Sequence, residues 1–284
     1  MKTLVQKISA VVFFAVLAGG AFAQYFSPMQ EAIIKGNKAS VRYLLETGYK
    51  INTVEEITSS APRKIRILLT PLQMALHYRQ TDIAEMLIED YGANVNFLTS
   101  QTALHEALWG DLSLLEYLLS KGAEPNHKNN FGDTPLNMIC SSRDWPQALE
   151  LMYKYGANMN VKGYGQMTPL HNSAYMGYIG NIQTLLNLNV NINAKDKNGN
   201  TPLHLAVKNG NIAAAKILIE AGAKTNIKNE DGFTVVELAE SGNVYQSLSL
   251  KAIIQQAKDR QDAQRLKELS DMIKFSDKKT VKGI

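Results

Sequence analysis

Cysteine is almost missing from this chain: Cys140 is the single thiol among 284 residues. Without a partner it makes no internal disulfide, so the fold has no covalent staple of that kind. It lies between Ile139 and Ser141, with Arg143 as its one basic neighbour, and reads as a small buried apolar residue rather than an activated thiolate. Dense basic stretches are missing too. The formal charge is +4, and between Lys251 and Ile284 nine Lys and Arg stand against five Asp and Glu. That is too dilute for a phosphate-neutralising face, so a nucleic-acid partner is not expected. No glycine cluster runs into the Lys-Ser or Lys-Thr of a phosphate loop, and no Ser-His-Asp or Cys-His grouping has supporting context. Neither an enzyme nor a bound cofactor is expected. Glu85, Glu89 and Asp90 gather on one helical segment, where the pattern is that of a solvated face.

Long apolar runs are also lacking. The stretch from Val11 to Leu17 falls short of the ~20 residues a spanning helix needs. With Lys2 and Lys7 ahead of it and Ala21-Phe22-Ala23 behind, it reads as a signal peptide over residues 1–23. Gln24 stands where a lipid-anchored protein would carry cysteine. The expectation is a periplasmic or secreted protein with no stable membrane insertion after cleavage.

What the chain has in abundance is one phrase. Thr201-Pro202-Leu203-His204 with Ala206 returns as Thr168-Pro169-Leu170-His171 with Ala174, and as Thr102-Ala103-Leu104-His105 with Ala107. Thr70-Pro71-Leu72 and Thr134-Pro135-Leu136 keep the same frame, and a weaker copy begins at Thr234. Successive threonines are 32 to 34 residues apart, a period that marks a repeat architecture.

The copy beginning at Gly199 shows what one unit must do. Thr201 offers a hydroxyl to free amide groups and Pro202 sits where a helix loses nothing by lacking an N–H, so a helix starts there. Leu203, Ala206 and Val207 give it an apolar face, and Asn209-Gly210-Asn211 ends it. A second helix runs from Ile212 with Ala215, Leu218 and Ile219 as its buried stripe. The polar, turn-rich stretch from Ala223 to Gly232 reads as a hairpin-like connection. One such pair cannot cover its own apolar face; stacked pairs share a continuous core.

With its Thr-Pro-Leu-His phrase and the recurring Gly-Ala-x-x-Asn turn (Gly92 to Asn96, Gly122 to Asn126, Gly156 to Asn160, Gly222 to Asn226), the chain resembles the ankyrin-repeat family. The fold expected is all-α: an ankyrin-repeat solenoid of stacked helix pairs with hairpin-like finger loops, plus a C-terminal helix. About seven repeats fit residues 24–250, near 27–59, 68–99, 100–131, 132–165, 166–198, 199–231 and 232–250, with degenerate ends. Residues 251–284 are left as a C-terminal helix, carrying Leu266, Leu269 and Ile273 on one stripe, and a disordered tail. Ser27-Pro28 opens the first copy. The extra residues between it and Thr70, in Ile51 to Leu69 around Pro62 and the basic Arg63, Lys64 and Arg66, are read as a lengthened finger loop. In the last copy, Gly242-Asn243 marks a turn.

The resemblance assigns His105, His171 and His204 to one scaffold position, hydrogen-bonded to the motif threonine and to nearby backbone. Such equivalent positions spread along a stack instead of converging, so no metal site is expected. For His77 and His127 the sequence offers no partner at ligand spacing. Ankyrin proteins hold protein partners at finger tips and on the inward side of the first helices. Carried over, the positions seven and eight after the threonine are His77 and Tyr78, Ser141 and Ser142, Tyr175 and Met176, and Lys208 and Asn209, with Trp109 in the shortened copy. Finger positions include Phe131, Asp133, Tyr164, Asn198, Glu230 and Phe233. Tyr78, Trp109, Phe131, Tyr164, Tyr175 and Met176 are therefore the expected partner-binding residues, forming a concave aromatic face for a folded protein. The competing reading is that some pack as core. The function expected is that of an exported adaptor, or of a secreted effector acting on a host or competitor protein. The sequence leaves oligomeric state open.

Overall fold

The structure is a computed structural model describing residues 26–58 and 66–241, with isolated helical positions at 254–256, 259, 263 and 267. It divides into two compact units at Pro135. The first holds α1 (Pro28–Ile34), α2 (Lys38–Glu46), β1 (Glu55–Thr58), β2 (Arg66–Leu69), α3 (Pro71–His77), α4 (Thr81–Glu89), α5 (Ala103–Glu106) and α6 (Leu112–Ser120). The second is built from α7 (Pro135–Ser142), α8 (Pro146–Lys154), α9 (Pro169–Met176), α10 (Ile179–Asn187), α11 (Pro202–Lys208), α12 (Ile212–Glu220) and α13 (Val235–Ser241). The expected all-α ankyrin solenoid of helix pairs is what each unit shows. The signal segment, the turn at Gly242-Asn243 and nearly all of the C-terminal helix and tail lie outside the described residues.

None of these helices exceeds nine residues, well under the roughly 12–15 at which an isolated helix becomes marginal in water. Their stability comes from stacking. In the first unit the shared core is Leu72, Ile83, Leu87, Leu104, Leu115 and Leu118, all fully buried. In the second it is Leu136, Ile139, Leu149, Leu170, Ile182, Leu185, Leu203 and Leu218. Cys140 belongs to this core at 0% exposure, and burial pushes its thiol up to about 12.

Four of the first helices start on one device. The cap residue takes the N–H three positions on, and the side chain at that third position reaches back to the cap's own N–H. Ser27 with Gln30, Thr70 with Gln73, Thr168 with His171 and Thr201 with His204 are all such reciprocal pairs. The far end of that same third side chain then ties its copy to the next. Gln73 Nε2 donates to Gln101 O at 2.6 Å, and to Phe97 O at 2.9 Å within its own finger, as Gln30 Nε2 does to Glu56 O at 3.1 Å. His105 Nε2 meets Asp133 O at 3.1 Å, Asn137 Nδ2 meets Met167 O at 3.4 Å, His171 Nε2 meets Asn200 O at 3.0 Å and His204 Nε2 meets Phe233 O at 3.2 Å. The tautomer follows: Thr102 N–H donates to His105 Nδ1 at 3.2 Å, so the ring proton sits on Nε2, facing a carbonyl. The scaffold role implied for the three histidines is thus extended to glutamine and asparagine.

The asparagine turns have their own reason. Asn52 Oδ1 takes the Asn94 N–H at 3.1 Å and Asn96 Oδ1 the Glu124 N–H at 2.8 Å. In the second unit Asn160 takes Asn191 N–H at 2.8 Å and Asn193 takes Lys224 N–H at 2.9 Å. Finger tips join through main chain, Lys197 N–H to Gly165 O and Glu230 N–H to Asn198 O, both 2.9 Å. Gly199, at φ +71°, passes under the last of these; a Cβ there would lie 2.8 Å from Glu230 N.

The segment between the first two copies differs from the expected long loop. Its flanks are strands, paired antiparallel with Glu55 opposite Leu69 and Thr58 opposite Arg66. Glu55 anchors β1 to the first copy, accepting from Ser27 Oγ at 2.7 Å and from the Tyr49 hydroxyl. Pro62, Arg63 and Lys64 lie outside the described residues.

Candidate partner-binding positions

The six expected residues divide between the units, three in each. In the first, Phe131 is 67% exposed at a finger tip, held there because Asn129 Oδ1 accepts the Phe131 and Asp133 N–H groups at 3.0 Å. Tyr78 and Trp109 are half-buried. Tyr78 caps the C-terminal end of α3, and burial together with the Glu106 charge pushes its hydroxyl up to about 12. Trp109 ends the single 3-10 turn, Ala107–Trp109, into which the shortened copy compresses. In the second unit Tyr164 is 53% exposed, in a tight 3-10 turn (Tyr164–Gln166) with Gly165 at φ 64°. The Lys197 ammonium stands 5.6 Å from its ring centroid. Tyr175 and Met176 close α9 and are half-buried. Tyr175 is pinned through its carbonyl by Asn209 and Asn211 Nδ2 at 3.2 and 2.8 Å. Phe131 and Tyr164 therefore offer most of their rings to solvent, whereas the other four share theirs with the scaffold.

The structure adds a group that the sequence reading missed. Glu106 has a side chain only 1% exposed, yet its carboxylate accepts from His77 Nδ1 at 3.0 Å and from Gln101 Nε2. His77, for which the sequence offered no partner at metal-ligand spacing, is therefore paired one repeat further on. Burial would pull its pKa down, but the hydrogen bond and charge of Glu106 outweigh burial and hold it above 6.5. The rung histidines behave oppositely. Burial lowers all three, His105 to about 4, against the bonds to the Asp133, Asn200 and Phe233 carbonyls, which raise them. The sequence signal for the pair was weak: the residue four after the cap is Met74, Met138, Asn172, Leu205 or Leu238 in other copies, but Glu31 in the first.

The acidic run on α4 is exposed as read, and is engaged with its neighbours. Glu89 pairs with Lys121 at 2.6 Å and accepts from Tyr117 Oη at 3.0 Å, and Asp90 pairs with Arg42 at 3.1 Å. Among the described residues no three His, Cys, Asp or Glu side chains are grouped to hold a metal ion. No described helix is long and apolar enough to cross a membrane.

Models of "Ankyrin repeats (3 copies)" match residues 53–129 and 108–196, and one of "Ankyrin repeats (many copies)" matches 185–239. The chain belongs to the ankyrin-repeat family. Among its relatives, a putative ankyrin repeat protein of fowlpox virus (strain NVSL) is 35% identical over 126 residues, 43% of this chain and 34% of that one. Alpha-latrocrustotoxin-Lt1a of Latrodectus tredecimguttatus is 29% identical over 167 residues, 56% of this chain and 12% of the toxin. The human transient receptor potential cation channel subfamily A member 1 is 26% identical over 172 residues, 57% of this chain and 14% of the channel. This ankyrin chain thus spans about a third of the first relative and far less of the other two.

Proposed function

We propose that this ankyrin chain is an exported adaptor that holds a folded protein partner through the aromatic residues at its finger tips and first-helix ends. The observation that carries the reading is the exposure of Phe131 and Tyr164. Large rings bring contact area at small entropic cost, and neither is needed by the core that stacks the repeats. Export rests on the sequence: Lys2 and Lys7, the apolar run from Val11 to Leu17, and Ala21-Phe22-Ala23. Ankyrin repeats serve protein–protein contact and are generally not enzymes, which supports the same reading.

Crosslinking in the intact envelope followed by mass spectrometry names the partner, and the purified pair then gives an affinity. Phe131→Ser and Tyr164→Ser should together weaken that affinity at least about 10-fold, each lost aromatic anchor being worth over about 1 kcal/mol, with helical signal unchanged. An affinity that does not move would refute the assignment. A second reading, a secreted effector, draws on the likeness to a spider toxin over 56% of this chain. Release of the protein into the medium favours it; retention in the periplasm favours the adaptor.

A further inference from the structure

The first copy carries the outward face of an interior one. Terminal repeats of a stack ordinarily end on a polar surface. Here the sixth and seventh residues of α2 are Tyr43, 66% exposed, and Leu44, half-buried. In each later helix pair that is described the residue equivalent to Leu44, namely Leu87, Leu118, Met152, Leu185 or Leu218, is fully buried. Pro28 repeats the contrast: it is exposed, whereas Pro71, Ala103, Pro135, Pro169 and Pro202 are buried.

Three polar groups on this copy have counterparts whose task is visible further along. Glu31 stands four after its cap, as Glu106 does, and Glu106 meets His77 Nδ1 of the copy before it at 3.0 Å. Asn37 stands ten after its cap, where Gln80 Nε2 reaches back to Ile34 O at 3.5 Å and Asn211 Nδ2 to Ala174 O at 2.9 Å. Tyr43 stands where Tyr117 does, whose hydroxyl donates back to Glu89 at 3.0 Å. In the first copy Asn37 Oδ1 takes the Ser40 N–H at 3.1 Å. Its Nδ2 and the Tyr43 hydroxyl make no hydrogen bond with the described residues. Glu31 turns to Lys35 on its own helix, a surface pair of small worth.

The chemistry of an occupant follows from these groups. It must cover Pro28, Tyr43 and Leu44 with apolar side chains, offer acceptors to Asn37 Nδ2 and Tyr43 Oη, and bring a cation to Glu31. Within this chain α3 and α4 present such a set to the third copy, His77 meeting Glu106 and Glu89 meeting Tyr117. We propose that the open side of α1 and α2 docks a helix pair of a partner protein, with a basic side chain ending one helix and an acidic side chain ending the other. A second copy meeting face to face would bring the same two donors again, with an acid already engaged by Lys35. The surface uses none of the aromatic residues on which the adaptor reading rests.

Two measurements test it. In the first, a duplicate of residues 70–101 is inserted between Phe26 and Ser27 of the full chain, so that Ser27 follows it as Thr102 follows the original. The duplicate should raise the urea midpoint, and Tyr43→Phe should lower the midpoint of the lengthened chain while leaving that of the original unmoved. A midpoint that the duplicate does not raise, or a Tyr43→Phe effect equal in the two chains, overturns the stacking face. In the second, p-benzoylphenylalanine in place of Tyr43 is photoactivated in intact cells and the crosslinked peptides are sequenced. The crosslink should land on a helix of another protein with Asp or Glu within one turn. Tyr43→Phe with Asn37→Asp, which keeps the cap on Ser40, should then weaken the purified pair at least about fivefold. An affinity that does not move overturns the proposal, as does the absence of any crosslink. A crosslink to a second copy overturns it in favour of a dimer, and one to residues 1–25 in favour of the chain covering itself. Phe131→Ser with Tyr164→Ser should leave the midpoint gain intact, so failure of the adaptor reading does not decide this one.

Discussion

Replacing His171 by leucine and, separately, by glutamine tests the reasoning about inter-repeat rungs on the protein's own terms. His171 is fully buried; its Nδ1 accepts the Thr168 N–H at 3.2 Å and its Nε2–H donates to Asn200 O at 3.0 Å. Leucine fills much of the volume but leaves the buried Thr168 N–H unsatisfied and takes one of two bonds from Asn200 O, which keeps the Asp196 N–H at 2.9 Å. At about 1–3 kcal/mol for the orphaned donor and about 0.5–1.5 kcal/mol for the lost bond, the loss is about 1.5–4.5 kcal/mol. Glutamine can do both jobs, because Gln73 already does so in an earlier copy: its Oε1 takes the Thr70 N–H at 2.9 Å and its Nε2 donates to Gln101 O. The Gln variant should therefore lose under about 1.5 kcal/mol, the remainder being the shape mismatch of a smaller group. Urea unfolding followed by far-UV circular dichroism, with midpoint and slope both recorded, separates the two. Equal losses for Leu and Gln would refute the rung, leaving only ring packing to explain the histidine.

Acid should act through the same atoms. The folded pKa of His105 is about 4 against 6.5 when free, so the unfolded chain binds the extra proton between those values. Its contribution is complete above pH 6.5 and drains to a loss of about 3 kcal/mol by pH 4. His105→Gln should flatten the slope of urea-midpoint against pH in that window, and an unaltered slope would count against burial as its cause. His77 runs the other way: its folded pKa is raised, so its contribution is full below 6.5 and is lost as pH climbs through the folded value. His77→Leu takes the cationic partner from the buried Glu106 carboxylate, which keeps its bond from Gln101, and should cost about 1–3 kcal/mol. Glu106→Gln should drop the His77 ring titration below 6.5 in an NMR titration, where a ring pKa still above it would show that another charge holds the proton.

Much of the scaffold was legible because repetition averages out noise. Thr201, Pro202 and Leu203 each have a local physical job, and the same jobs at 32 to 34-residue steps leave one architecture. What escaped were contacts made across a step. Gln30, Gln73 and Asn137 share the histidine position but not its chemistry, so a search for histidine passes over them. His77 and Glu106 lie 29 residues apart, a distance at which no local spacing rule operates. The hairpin escaped for a different reason: Pro62 and the charges around it read as loop, although the alternation near Ile57 and Ile67 lies on either side. For the aromatic positions the sequence could name residues on the inward side of the first helices and at finger tips, but the degree of cover depends on neighbours. Phe131 and Tyr164 emerged open, whereas Tyr78, Trp109, Tyr175 and Met176 emerged partly covered.

The rungs also give the array a direction. From Gln73 to His204 each third-position side chain sends an N–H forward to a carbonyl of the following copy, Gln101 O in the case of Gln73. In the final described copy that position is Glu237, whose carboxylate takes the Thr234 N–H at 2.6 Å and the Thr234 hydroxyl at 2.7 Å. A carboxylate has no N–H to pass on. The described ladder thus changes character at residue 237, where the third-position side chain holds its own cap with an acceptor instead of sending a donor forward. Glu237→Gln would restore a side chain that carries both halves of the rung.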